Sequence, residues 1–594
     1  MSAYVAPLKD MRFVLNELAG LAEVAKLPQF EEATPDTVDA ILEEASKFAS
    51  EVLDPINYSG DQEGSKLSDG EVRTPRGFRD AYRKFCDGGW NALPFEHEWG
   101  GQGLPRLVST PVQEMWKSSN LSFSLCPLLT QGAVEALLLR GSDTLKQAYL
   151  PRMIEGKWTG TMNLTEPQAG SDLSLVRTRA ERQANQYLIS GQKIFITYGE
   201  HDLAENIIHL VLARAPDAPE GVKGISLFVV PKFIPGADGK PGQRNGAKCA
   251  SIEHKLGIHA SPTAVMVYDK AVGYLVGEEN RGLEYMFIMM NAARFAVGLE
   301  GVAIAERAFQ RAFAFSRERL QGRDLVAGGA TVPIIRHPDV RRMLMLMKSQ
   351  TEAMRALAYT TAAAMDFAHK SENPAERKRH QAYVDLMIPV VKGWSTETGI
   401  EIASLGVQVH GGMGFVEETG AAQYLRDARI TTIYEGTTGI QAMDLVGRKI
   451  AREGGETAKQ WLAELKKFEA ELARSVHPDV QSFRNQFAPG VQALADGVEF
   501  IVASSAKDPR PAFAGAVPFL KLMGIVAGGW QMGRAALAAE RALHSGDRSF
   551  LEAKIATARF YADHVLVQAP ALRNTVVNGA AGVMALSEDQ FLAA

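Results

Sequence analysis

One carboxylate in this chain stands where chemistry would need it. Tyr424 to Gln441 reads YLRDARITTIYEGTTGIQ, and it places Glu435 in a short break between two helical patterns, with Gly436 after it and hydroxyls at Tyr434, Thr437 and Thr438. A carboxylate in such a loop acts as a general base or caps a helix. Glu is a poor cap, and the apolar spacing Ile440, Met443, Leu445 can start a helix capped by Thr437 or Thr438 instead. On this stretch alone the structural role is favoured; the rest of the chain reverses that.

Two other stretches offer backbone rather than side-chain chemistry. Thr161 to Ala180, TMNLTEPQAGSDLSLVRTRA, has small residues at Ala169, Gly170 and Ser171 that let the backbone approach a planar or phosphate-bearing ligand, with hydroxyls at Thr165 and Ser171. A Gly-Ser turn between strands explains it equally well. Gln408 to Phe415, QVHGGMGF, carries a glycine pair that can receive a pyrophosphate, although ending a helix is the simpler role. No GxGxxG follows a strand pattern, so a Rossmann site has no support. The three cysteines lie far apart, which gives no metal spacing and no disulfide framework, and the twelve histidines show no HxxxH pair. No metal site is expected.

The elements that must position these stretches alternate in texture. Residues 1–33 read as an extension laid on a larger body. From Thr34 the run PDTVDAILEEASKFASEVLDPIN has a helix start signal followed by Val38, Ile41, Leu42, Ala45 and Phe48 at helical spacing, and helical patterns continue through an α domain, 34–158. Tyr187–Thr197, Asn206–Ala213 and Gly224–Phe233 are short β-branched runs separated by Gly, Asn, Asp and Pro, which makes 159–276 a β domain. Long amphipathic helices return over 277–455 and predict an antiparallel bundle. Residues 456–594 form a last helical block, rich in Ala, Leu and Val. The chain is thus mainly α with an inserted β domain.

A length of 594 residues predicts several domains and room to bury a large cofactor. Charged residues at 22% and hydrophobic ones at 46% are ordinary globular values, and a net charge of −5 gives no footprint for nucleic acid. The N-terminus lacks a signal-peptide core, and a cytoplasmic location is expected. No membrane span is expected either: the nearest approach, Pro511 to Trp530, is interrupted by Lys521, prolines and glycines.

Taken together and in order, LTEPQAGSD (164–172), GQKIFIT (191–197), QVHGGMGF (408–415) and YLRDARITTIYEGTTGIQ resemble the acyl-CoA dehydrogenases over about residues 35 to 450. The extensions at both ends resemble large bacterial members, a group that includes fatty acyl-CoA and 3-(methylthio)propanoyl-CoA dehydrogenases. The resemblance implies an α domain, a β-barrel-like domain and a four-helix bundle, here with an extra C-terminal helical domain, and FAD as cofactor. It assigns Glu435 as the base that removes the α-proton of an acyl thioester while hydride leaves the β-carbon, its own N–H helping to hold the thioester oxygen. Leu164 and Thr165 would meet the flavin pyrimidine, Ser171 the pyrophosphate or CoA, Phe195 the isoalloxazine in place of the Trp of many relatives, and Thr197 the region of N5. Arg319, Gln408, Gly411 and Gly412 would reach FAD across a dimer, and Thr437 would touch the flavin. Asn291, Arg294 and Gly436 fall at the substrate.

The leading expectation is a medium- to long-chain saturated acyl-CoA dehydrogenase of fatty acid β-oxidation, a homodimer passing electrons to an electron-transferring flavoprotein. The alternatives are a 3-(methylthio)propanoyl-CoA dehydrogenase, an acyl-CoA oxidase, and a DNA-associated flavoprotein of the same fold. The acidic balance and Glu435 argue against the last.

Overall fold

The computed structural model describes residues 3–236 and 238–592. They fall into two compact units, one formed by Ala3–Ala6 and Glu32–Ala296, the other chiefly by Pro7–Glu31 and Val297–Ala594.

The first unit opens with the helix Pro35–Phe48. Thr34 caps it by accepting from the Thr37 amide at 3.2 Å, and Val38, Leu42, Ala45 and Phe48 are its buried stripe. Helices Arg106–Ser119, Leu121–Arg140 and Asp143–Ile154 complete the α layer. An antiparallel hairpin, Lys66–Ser68 with Glu71–Arg73, interrupts a region in which helical segments and no strands were expected. Its two strands hold three residues each, too short to show a period of two.

A seven-stranded sheet follows, in the order Trp158–Asn163, Asn206–Ala213, Ser226–Pro231, Thr263–Leu275, Gln186–Thr197, Arg179–Gln183, with Ala247–Ile252 also paired to Thr263–Leu275. Trp158–Asn163 runs parallel to Asn206–Ala213, and every residue of the latter is buried; its two polar residues, Asn206 and His209, are both hydrogen-bonded. Ile189, Ile196, Val211, Phe228, Val230 and Met266 form the core of this domain.

In the second unit, the long helices Pro338–Lys370 and Pro374–His410 lie side by side, and the helix Gly282–Glu318 closes on Pro374–His410 at Gly298 and Gly301, where a Cβ would meet Val391 and Ser395. That helix was expected to run on through RERLQGR. It stops at Glu318 instead, and an exposed hairpin, Leu320–Asp324 with Gly328–Pro333, follows; Gly322, Gly328 and Gly329 all adopt positive φ. The C-terminal block folds as helices Glu456–Leu472, Pro478–Ser505, Ala516–Ala542, Arg548–His564 and Ala569–Asn578. The stretch 511–530 therefore belongs to packed helices. Two other helices, Leu121–Arg140 and Gly282–Glu318, are long and apolar enough to cross a membrane, but 89% and 72% of their most apolar windows are buried in the protein.

An ionic cluster ties the N-terminal segment into this unit. Asp10, on helix Leu8–Phe13, accepts from Arg355 at 2.7 Å and from Lys554 at 2.5 Å; Arg355 also reaches Glu306 at 2.6 Å, and Lys554 reaches Glu352 at 2.7 Å. Burial alone would raise the Asp10 carboxyl, but Lys554 and Arg355 outweigh it and hold the group well below the usual carboxylate range.

Candidate active site

The loop that carries Glu435 is built from backbone strain and the groups that sustain it. After the short turn Arg429–Thr432, Glu435 adopts φ 54° and Gly436 φ 85°. A left-handed conformation at a residue with a Cβ costs about 1–2 kcal/mol, so its surroundings must enforce it. Thr437 ends the turn by capping Thr438–Met443, accepting from the Ile440 amide at 3.2 Å. The cap is thus Thr437, and Glu435 is left half-buried in the loop. The Gly436 carbonyl accepts from Lys392 Nζ at 2.7 Å, and Gln441 Nε2 donates to the carbonyls of Glu435 (3.2 Å) and Gly436 (3.4 Å). Thr438 Oγ1 donates to Glu397 at 2.5 Å, and the Tyr434 hydroxyl donates to Glu300. Burial and the adjoining Glu300 carboxylate push the Tyr434 phenol well above its ordinary range, so it remains a donor.

In the other unit, Glu166 organises the LTEPQAGSD loop. Its carboxylate accepts from Lys193 Nζ (2.8 Å), the Thr178 hydroxyl (2.6 Å) and amide (3.0 Å), the Arg177 amide (2.7 Å) and Gln168 Nε2 (2.6 Å). Burial would raise this carboxyl; Lys193 and the other donors override it and bring it down to about 2. Burial likewise pushes Lys193 down to about 8, which leaves an ammonium beside an ionised carboxylate at neutral pH. Lys193 also donates to the Leu164 carbonyl at 2.9 Å, and the Ile194 amide to the Thr165 carbonyl at 2.9 Å. Leu164 and Thr165 are thereby set beside Phe195. That residue has φ 61° and is 60% exposed, a large ring presented outward by a strained backbone. Thr197 is half-buried in the same strand, Ser171 is exposed, and a Cβ added at Gly170 would meet nothing within 4 Å.

The glycine pair ends the helix Pro374–His410. Gly411 has φ 62°, Gln408, Gly411 and Gly412 are exposed, and a Cβ at either glycine would meet nothing within 4 Å. His410 is buried, its ring stacked on Phe315 at 4.4 Å and its Nδ1 2.7 Å from the Gly406 carbonyl. Arg319 is exposed at the junction of helix and hairpin. Asn291 and Arg294 lie one turn apart on Gly282–Glu318; Arg294 is buried and donates to Asn291 Oδ1 at 3.3 Å.

The structure thus gathers Leu164, Thr165 and Phe195 in one unit and Glu435, Gly436 and Thr437 in the other. The sequence reading missed Lys392, Gln441 and Glu300, which hold the Glu435 loop, and Lys193, which holds the LTEPQAGSD loop. Gln441 closes the motif already singled out; Lys392 and Glu300 sit in helical runs where spacing carries no sign of them.

The chain matches the N-terminal (35–157), middle (161–271) and C-terminal (280–450) domain models of acyl-CoA dehydrogenases, and residues 461–587 match an "acetyl-CoA dehydrogenase C-terminal like" model. It is 52% identical to the 3-methylmercaptopropionyl-CoA dehydrogenase of Ruegeria pomeroyi over 97% of this chain and 98% of that one. It is 34% identical to a butyryl-CoA dehydrogenase of Syntrophomonas wolfei, over 95% of each chain. Among solved structures, it resembles Caenorhabditis elegans ACDH-11 in complex with C11-CoA (TM-score 0.78, 19% identity, 96% of this chain and 93% of that one). It also resembles a Bacillus anthracis acyl-CoA dehydrogenase complexed with FAD (TM-score 0.75, 20% identity, 97% and 92%).

The chain belongs to the acyl-CoA dehydrogenase family: it is an FAD-dependent oxidoreductase acting on CH–CH donors. The residues of the first unit fit the cofactor, since the outward-facing Phe195 ring and the open Gly170 leave room for a planar ring and a phosphate-bearing tail.

Proposed function

We propose that this enzyme dehydrogenates a short, sulfur-containing acyl thioester, 3-(methylthio)propanoyl-CoA, to its 2-enoyl-CoA product, with Glu435 as general base. The observation that supports the assignment of the base is the tethered left-handed loop, in which the backbone of the half-buried Glu435 is held by bonds to its own carbonyl and that of Gly436 and by the helix cap at Thr437. What favours the substrate is the 52% identity along the whole chain to an enzyme named for that thioester. The medium- to long-chain substrate expected from the sequence takes second place, because the relatives named for other acyl groups stand at 34% and below.

Bound FAD supplies the hydride acceptor. Glu435 takes the α-proton as the C–H pair of electrons becomes the new C=C bond, and the Glu435 N–H donates to the thioester oxygen as negative charge develops there. Leu164, Thr165, Ser171, Phe195, Thr197 and Thr437 are the proposed cofactor contacts within the chain. Arg319, Gln408, Gly411 and Gly412 would serve the cofactor of a second copy in a homodimer, and Ser171, Asn291, Arg294 and Gly436 the CoA thioester. Electrons would then pass to an electron-transferring flavoprotein, in the cytoplasm.

Anaerobic mixing of the FAD-loaded enzyme with 3-(methylthio)propanoyl-CoA, butyryl-CoA and a long-chain acyl-CoA tests this reading. Fastest bleaching of the flavin by the sulfur thioester is expected. Faster bleaching by the long-chain substrate would overturn the substrate assignment and leave the base untouched, whereas an active Glu435→Gln variant would overturn the base. Native mass measurement tests the homodimer, and a tetramer would refute it.

A further inference from the structure

The base loop is held from below by one segment of one helix. Lys392, Gly393 and Trp394 lie in Pro374–His410, and all three are buried. Lys392 sends its ammonium to the Gly436 carbonyl, the peptide that follows the base. Its neighbour Gly393 is pressed on both sides: a Cβ there would stand 3.4 Å from Gln441 Cβ and 2.5 Å from Leu520 Cδ2. Gln441 is the other residue that grips the carbonyls at 435 and 436. Leu520 belongs to Ala516–Ala542, a helix of the C-terminal block. The same helix closes on Trp394 through two glycines, since a Cβ at Gly524 would lie 2.2 Å from Trp394 Cγ and one at Gly528 2.6 Å from Trp394 Cη2. Such contacts admit hydrogen only, so this part of the bundle helix has no slack against the appended domain.

We propose that Lys392 is a positioning residue for Glu435, and that the appended C-terminal domain braces it through Leu520, Gly524 and Gly528. This rests on Glu435 being the base. A buried ammonium on the Gly436 carbonyl is a strong, short, charge-assisted anchor. It fixes the peptide plane that joins residues 436 and 437, and so limits how far the left-handed turn can relax. The appended block is then part of the catalytic apparatus as well as extra folded mass.

The test measures, for the FAD-loaded full-length enzyme, the rate of flavin reduction at saturating 3-(methylthio)propanoyl-CoA, with butyryl-CoA used should the first not bleach it. Substrate Kd and FAD content are measured alongside. Lys392→Met keeps the length and loses the donor. The reduction rate should fall about a hundredfold, as expected when a reacting group is misplaced by about 1 Å, with Kd changed by less than about threefold. Ser395→Ala, which removes a buried hydroxyl with no hydrogen-bond partner on the same helix, should leave the rate unchanged.

Gly393→Ala is the second variant, and it keeps the proposal testable if Lys392→Met does not fold. Alanine favours the helix by about 1 kcal/mol, so a loss of rate cannot come from a weaker helix. It should slow reduction, and Gly393→Ala/Leu520→Ala, which clears the contact, should restore it. A Lys392→Met enzyme that reduces its flavin within about threefold of the parent rate would overturn the positioning role. So would a loss shared equally by Kd and FAD content. A Gly393→Ala defect that Leu520→Ala leaves unrepaired would overturn the brace. Glu435→Gln separates the two failures: an active Glu435→Gln removes the underlying assignment, while an inactive one beside a fully active Lys392→Met removes this proposal alone.

Discussion

Glu166→Gln is the sharpest perturbation of the LTEPQAGSD loop, the proposed FAD contact, because it changes charge and hydrogen-bond polarity at almost constant volume. The carboxylate has five donors: Lys193 Nζ, the Thr178 hydroxyl and the Thr178 amide on Oε1, and the Arg177 amide and Gln168 Nε2 on Oε2. A glutamine has one acceptor oxygen and one donor group. Whichever way the amide turns, its NH2 faces a backbone N–H that cannot rotate away, Arg177 in one orientation and Thr178 in the other. One bond to a charged group is then lost at about 1.5–3 kcal/mol, and the buried Lys193 ammonium loses its counter-charge, which costs about 3–5 kcal/mol when a buried pair is broken. These overlap, so the expected loss is on the order of 4 kcal/mol, a large share of a domain's 5–15 kcal/mol. Because a chain of several domains does not unfold in one step, the assay is native-state hydrogen exchange at the Arg177, Thr178 and Ile194 amides, with FAD retention on gel filtration as a second readout. Glu166→Gln/Lys193→Met should recover part of the loss, since both members of the pair are gone. Protection within about 1 kcal/mol of the parent protein would refute the view of Glu166 as the staple of this loop.

Three further outcomes are expected. Phe195→Gly relieves a left-handed residue and should stabilise the apoprotein by about 1 kcal/mol while weakening FAD binding, a pair of opposite signs that thermal melts with and without cofactor will check. On acidification, the stability supplied by Glu166, whose carboxyl moves from an ordinary 4.5 to about 2, is fully present above pH 4.5 and lost as pH falls through about 2; exchange at the same amides between pH 5 and 2 reads it. Asp10→Asn leaves the cluster with three cations, Lys554, Arg355 and the Lys348 that pairs with Glu352, against two carboxylates, Glu352 and Glu306, so loss of the N-terminal segment's protection from protease is expected, at about 3 kcal/mol, the lower end for a broken buried pair.

How far the fold and site were legible depends on the range over which each signal acts. The long helices and buried strands announce themselves within a dozen residues: Asn206–Ala213 is a run dominated by Ile, Leu and Val, and Thr34 of the Thr-Pro-Asp start caps Pro35–Phe48 in the structure as in the sequence. The two small hairpins escaped because three to six residues cannot display alternation, and because Leu320–Asp324 continues the charge pattern of the helix before it. At the site, residue type was legible and conformation was not. Glu435 and Phe195 stood out as a loop carboxylate and an aromatic in a strand, yet what distinguishes both is a positive φ, which nothing in side-chain spacing encodes. The groups that enforce those conformations lie far along the chain: Lys392 is 44 residues from Gly436, and Tyr434 reaches Glu300 across 134. A lysine amid apolar helical residues looks like an exposed break in a stripe. The appended helix closes on the neighbouring Trp394 through Gly524 and Gly528, and a buried ammonium must find acceptors, of which the Gly436 carbonyl is one; both facts appear only when distant segments are brought together.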